Sequence, residues 1–192
     1  MRRLILASAS PRRKELLNRA GYRFDVCPSD ADETLPVGCG AKEAVALLAQ
    51  KKAASVAARF PGAVVLGCDT VVALDNVILG KPQNEADAAA MLRRLSGRVH
   101  TVWSGVCITD GARTETFCEA TAVEFFPLSD ETVASYLATG EPFDKAGAYG
   151  IQGFGGVLVR RFDGDYCNVV GLPLAQCARV LASFDVFGTV KI

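Results

Sequence analysis

The sequence predicts an α/β fold, an elongated mixed β-sheet flanked by helices with two lobes around a cleft. Three observations lead there. Apolar runs alternate with stretches of helical period from the N-terminus onward. The run AVVLGCD at 63–69 is continuously apolar and ends on a carboxylate, as a central strand buried on both faces does. The second half carries hairpin-type turn signals, which add antiparallel pairs to the sheet.

Taken in order, residues 3–7 (RLILA) form a short buried strand, and Ser10-Pro11 opens a helix carrying Leu16, Leu17 and Ala20 on one face, with Gly21 as the stop. YRFDVCPSD (22–30) is a second strand, followed by an acidic irregular segment at 30–40. Residues 41–59 form a helix whose apolar face is Val45, Leu48, Ala49 and Val56. Lys52 lies in the middle of that face and Lys51 does not. The strand at 63–69 precedes a strand–turn–strand over 71–80 that turns at Asp75-Asn76. Residues 86–97 form a helix, 100–110 and 113–126 are adjacent long strands, and 129–140 is a helix capped by Ser129. DKAGAYGIQGFGG (144–156) is glycine-rich, 156–171 reads as a hairpin about Asp163-Gly164, and 172–184 closes as a helix.

Composition narrows the function classes. Half of the 192 residues are apolar, and 21 Lys and Arg balance 21 Asp and Glu. Zero net charge argues against an electrostatic footprint for long nucleic acid or an anionic membrane, but not against a local anion site. Seven cysteines, an odd number without C-x-x-C spacing, point to buried free thiols in a reducing compartment. A single histidine, His100, excludes a His-rich metal site. The run LILA in the N-terminal MRRLILASAS is too short for a signal peptide, and no stretch is long enough to span a bilayer, so a cytoplasmic location is expected.

Arg12 and Arg13 fall in the first turn of a helix, where the partial positive charge of the N-terminus disfavours cations. With Ser8, Ser10 and the free backbone N–H groups they make a cradle for a polyanion, although S-P-R-R is equally common as a solvated helix start. Lys52, centred on an apolar stripe, must snorkel, pair or bind. Asp69 at the end of a buried strand sits where α/β sheets place ligands, as a metal ligand, a general base or a turn cap. Thr70 beside it orients a substrate or simply suits a strand. Lys81 follows the turn, Glu33 lies in the acidic loop, and Gln152 sits where glycines let backbone approach a ligand. Together these supply cations for a polyanion and carboxylates fit for Mg²⁺, which points to a nucleotide or sugar phosphate.

SASPRRKELL, GCDTVV, LGKPQ, MLRRLSGRVHTVWSGV, DKAGAYGIQG and GDYCNVVGLPL closely resemble, in order and over nearly the whole chain, the Maf family of nucleoside triphosphate pyrophosphatases. The resemblance implies one domain over residues 1–192, similar to the inosine triphosphatase-like group, with the active site in a deep cleft. It implies hydrolysis between the α and β phosphates with a divalent metal, Mg²⁺ or Mn²⁺. It makes Asp69 the proton acceptor and lines the phosphate and metal site with Ser8, Arg13, Glu33, Lys52 and Lys81, with Glu33 and Asp69 as metal ligands. Arg12, Thr70 and Gln152 match positions associated with base choice, and the chain sides with the subgroup that acts on dTTP and UTP rather than with the one that prefers 7-methyl-GTP. Such an enzyme keeps unwanted, including modified, pyrimidine nucleotides out of nucleic acid. Cys68 departs from the family's usual small residue and would put an oxidisable thiol next to the base. The family forms homodimers, and its link to cell division keeps a second reading open, a nucleotide-binding regulator of septum formation without turnover.

Overall fold

The computed structural model describes residues 2–192. In chain order the elements are β1 (Leu4–Leu6), α1 (Pro11–Arg19), β2 (Asp25–Val26), α2 (Ala41–Ala57), β3 (Val64–Leu74), β4 (Val77–Leu79), α3 (Glu85–Leu95), β5 (Val99–Thr109), β6 (Thr114–Phe125), α4 (Asp130–Leu137), three 3₁₀ turns between Glu141 and Leu158, β7 (Val159–Asp163), α5 (Tyr166–Val170) and α6 (Leu174–Ala182). One mixed sheet runs in the order β2-β1-β3-β5-β6-β7, with β4 also paired to β3. β1 pairs in parallel with β2 and β3, and the remaining pairs are antiparallel.

Three local expectations change. The runs at 63–69 and 71–80 are not separate strands: β3 continues through Asp69 and Thr70 to Leu74, because β5 pairs with it without interruption from Val65 to Ala73. The expected hairpin at 156–171 has only its first arm. After Gly164, whose φ is 128°, Asp165 caps Cys167 N–H and starts α5 instead of a return strand. The strand expected at 22–30 shrinks to Asp25–Val26.

Strand alternation sorts the sheet into two faces. On one face α2 packs against Ile5, Val65 and Cys107. On the other lie two apolar clusters. The first gathers Leu4, Leu66, Val106 and Ile108 with residues of α1 and α6. The second gathers Val72, Leu74, Val102 and Phe125 with residues of α3 and α4. Between them runs a buried polar seam. Asn168 of α5 donates from Nδ2 to Val102 O (3.0 Å) and Thr121 Oγ1 (2.9 Å), and Ser104 Oγ, itself 2.8 Å from Thr70 Oγ1, donates to Asn168 O (3.4 Å). The two lobes are these two clusters on one continuous sheet.

Helix α2 lies unusually close to the sheet at two glycines. A Cβ on Gly67 would overlap Ala49 O and come within 2.7 Å of Ala53 N. One on Gly105 would overlap Val45 O and come within 2.7 Å of Ala46 N. Any side chain there would wedge the helix away, so Gly105→Ala is expected to cost about 2–3 kcal/mol, the usual scale of overpacking, read as a lowered urea midpoint.

His100, 2% exposed, packs edge-on against Phe125 and Tyr149. Its Nε2 is 2.8 Å from Tyr149 Oη, and its Nδ1 has no partner. Burial lowers its pKa from 6.5 to about 4. The unfolded chain therefore binds the proton first as pH falls. The stability this histidine contributes is complete above pH ~6.5 and lost progressively towards pH ~4, by about 3 kcal/mol. Comparing urea midpoints of the wild type and His100→Gln across that range should show the steeper fall in the wild type.

Candidate active site

A cavity of ≈ 860 Å³ opens along one edge of β3, and all nine residues singled out from the sequence line it: Ser8, Arg12, Arg13, Glu33, Lys52, Asp69, Thr70, Lys81 and Gln152. Its position follows from the pairing. β1 pairs with Val64–Leu66 and β4 with Val72–Leu74 on the same edge of β3, which leaves residues 67–71 there without a neighbouring strand. The floor of the cleft is this gap in the sheet.

A buried backbone edge needs hydrogen-bond partners. Arg13 supplies them. Its guanidinium donates from Nη1 to Cys68 O (2.8 Å) and Ser8 Oγ (3.0 Å), from Nη2 to Thr70 Oγ1 (3.1 Å), and from Nε to Gly171 O (2.9 Å). Four of its five N–H groups are thus committed to protein oxygens, and the residue is only 9% exposed. Ser10 Oγ accepts from Arg13 N–H at the helix start, so the N-cap and Pro11 aim this side chain at the gap. Arg13 is a structural tie with one N–H left to offer a ligand.

Arg12 behaves differently. It reaches across the cleft to Asp144 (3.0 Å), whose carboxylate is 61% exposed. Lys145 and Arg12 hold the Asp144 carboxyl below its ordinary pKa, although burial opposes them. An exposed pair of this kind contributes little to stability, and a multiply charged anion can displace it.

Alternation along β3 sends Asp69 to the α2 face and Thr70 to the other. Lys52 Nζ lies 2.6 Å from Asp69 Oδ1 and 3.0 Å from Glu33 Oε1. The Lys52 and Asp69 side chains are 13% and 14% exposed, whereas Glu33 is 61% exposed. Burial of Lys52 pulls its pKa down, but Asp69 and then Glu33 outweigh it and hold the ammonium above its ordinary value. Lys51, off the apolar stripe, donates instead to Asp32 O and Thr34 O (3.1 and 2.8 Å) and steadies the loop that carries Glu33. Asp69 Oδ2 accepts no hydrogen bond among the described residues, and neither Lys81 nor Gln152 makes a side-chain hydrogen bond or ion pair among them. These are the unengaged groups of the cleft.

Thr70 Oγ1 is engaged by Arg13 and Ser104 and lies 3.3 Å from Gly171 O, which ties it to the polar seam. The thiol of Cys68 does not lie next to the ligand space. Strand alternation turns it into the first apolar cluster, where it is fully buried, 3.4 Å from Gly171 O, with its pKa raised by burial. All seven cysteines are free, but Cys27, Cys39, Cys118 and Cys167 are only partly buried. Among the described residues no three His, Cys, Asp or Glu side chains cluster as a metal cage, and no helix is long and apolar enough to cross a membrane.

Glu141, Asp144 and Tyr149 also line the cleft and were not singled out in the sequence. Their only signal was position, Asp144 and Tyr149 inside the glycine-rich stretch 144–156 and Glu141 just before it. Lys145, whose stretch did stand out, lines the cleft with Gln152.

The family model for Maf-like proteins matches residues 3–184. The chain belongs to the Maf family. It is 50% identical over 185 residues to a Bacillus velezensis protein named dTTP/UTP pyrophosphatase, covering 96% of this chain and 98% of that one. A Geobacillus protein of the same name is 51% identical over 179 residues, covering 93% and 96%. The structure of a HAM1 protein from Coxiella burnetii superimposes with a TM-score of 0.54 at 16% identity, covering 95% of this chain and all of that one, a likeness of fold.

Replacing Arg13 with lysine keeps the charge but supplies three donors without the planar fork. Arg13→Lys should lower stability by about 2–4 kcal/mol, because Cys68 O or Gly171 O loses its donor in the interior. Thermal denaturation checks this, and an unchanged melting temperature would show that Arg13 is only a ligand group.

Proposed function

We propose that this Maf-family chain, as a single catalytic domain over residues 1–192, hydrolyses dTTP and UTP between the α and β phosphates, releasing the nucleoside monophosphate and pyrophosphate. The observation that carries the reading is the buried Lys52–Asp69 pair, with one carboxylate oxygen unengaged, at the open edge of β3 and in the same cavity as Arg12, Lys81 and Gln152. The names and coverage of the relatives support the substrate class.

In this reading Lys52 orients Asp69 through its contact with Oδ1, and Asp69 Oδ2 accepts the proton of a water that attacks the α-phosphorus. The bond from that phosphorus to the bridging oxygen breaks, and the electron pair leaves with pyrophosphate. Lys81, and Arg12 released from Asp144, neutralise the charge that grows on the leaving group. Arg13 and Ser8 hold the backbone of the site and contribute at most one guanidinium N–H and one hydroxyl to a phosphate. Gln152, with Thr70 fixing the floor, faces the base end.

A divalent cation fits this donor set. Glu33 and Asp69 converge on one ammonium, and two carboxylates completed by substrate phosphates and waters suit Mg²⁺ or Mn²⁺ better than an all-protein cage would. Bound there, the ion would offset triphosphate charge and polarise the phosphoryl oxygens.

Product analysis with dTTP, UTP, CTP and GTP plus Mg²⁺ tests the proposal. The expected products are dTMP and UMP with pyrophosphate. Asp69→Asn should lower kcat by roughly 100-fold or more, the scale of a lost general base, while nucleotide affinity changes far less. Orthophosphate and a diphosphate would mean that another bond is cut. Binding without turnover would favour the regulator.

A further inference from the structure

Gln152 lies in a short irregular stretch between two 3₁₀ turns, and the backbone around it is held from beneath at three N–H groups. Glu141 Oε2 accepts from Phe154 N–H (2.8 Å), and Glu141 Oε1 accepts from Gly155 N–H (3.1 Å) and from Tyr136 Oη–H (2.8 Å). Tyr136 Oη in turn accepts from Gly150 N–H (3.1 Å). The two side chains therefore grip the backbone on both sides of Gln152. The fit is close: a Cβ on Gly153 would overlap the Glu141 carboxylate, and one on Gly155 would lie 2.6 Å from Tyr136 Oη.

The grip is rigid at its base. Tyr136 belongs to the second apolar cluster and is 4% exposed. Glu141 has no cationic side chain within ion-pair distance among the described residues, so its charge is met by N–H and O–H donors. Burial pushes its carboxyl up, but those donors, with the more distant charge of Lys145, outweigh it and hold the carboxyl below its ordinary value. The Glu141 carboxylate thus takes the place of a backbone partner for the loop's N–H groups.

We infer that Glu141 and Tyr136 are positioning residues that set base discrimination through Gln152. This rests on the pyrophosphatase reading for its substrates. Gln152 has no other side-chain partner among the described residues to fix it, so its placement depends on the two side chains beneath.

The test measures the ratio of kcat/KM for UTP to that for GTP in wild type, Glu141→Gln, Tyr136→Phe, Gln152→Ala and the double variant Glu141→Gln/Gln152→Ala. A general loss of folding lowers both substrates together and leaves the ratio alone. Discrimination should fall about tenfold in Glu141→Gln and less in Tyr136→Phe, and Glu141→Gln should add little once Gln152 is gone, as expected of residues acting through one group. An unchanged ratio in both single variants, or full additivity in the double variant, overturns the inference. A wild-type chain that binds nucleotides without turnover refutes the pyrophosphatase reading instead. The ratio is then read from Kd values by calorimetry, with the same outcomes deciding the loop.

Discussion

The site depends on an interruption in sheet pairing. β3 is long enough to be shared by β1 at one end and β4 at the other, and neither reaches the five residues between. Open sheet edges are costly when buried and sticky when exposed. Here the edge is closed on one side by the guanidinium of Arg13, which meets Cys68 O as a neighbouring strand would and joins it to Ser8, Thr70 and Gly171. One side chain thus holds β1, α1, β3 and the segment after α5 in register around the cleft. The cavity exists because the substitute is a side chain rather than a strand.

The opposite face is set by close approach. Gly67 and its near neighbour across the sheet, Gly105, let α2 lie down on β3 and β5. That contact puts Lys52 beside Asp69. The pair is expensive in isolation, since burial opposes both charges. It is retained with one carboxylate oxygen left open, and Glu33 gives the ammonium a second anionic partner. Strand alternation then separates the roles. Asp69 turns to the reactive pair and Thr70 to the structural network, one residue apart.

Much of this was legible in the sequence. Lys52 could be found because a cation on an apolar helical face is a violation of pattern, and Asp69 because a carboxylate ends an apolar run. The element order was visible for the same reason, as periodicity reports which face is buried. The junction of β3 was not, because Asp69 and Thr70 look like a strand end in one dimension and continue only because β5 pairs across them. The single-armed hairpin had the same cause: Asp163-Gly164 signals a turn, but Asp165 caps a helix. Gly67, Gly105 and Glu141 were invisible because their roles are distances to segments remote in sequence. Glu141 reads as an ordinary loop carboxylate until the N–H groups of 154 and 155 are seen around it.

The two arginines of the first helical turn resolve into two different uses of one residue type. Arg13 faces inward, and its charge is absorbed by carbonyl and hydroxyl oxygens, so its presence at a helix N-terminus is the cost of closing the β3 edge. Arg12 faces the cleft, and its one side-chain partner among the described residues is an exposed carboxylate from the other lobe. A polyphosphate offers a guanidinium more charge than one carboxylate does, and can take it in a bidentate geometry, whereas Asp144 meets Arg12 through one N–H. The Arg12–Asp144 contact therefore pairs this guanidinium within the protein, and substrate would exchange one anion for another without stranding that cation. The unfavourable local electrostatics of that turn is thus met by the fold at Arg13 and by the ligand at Arg12.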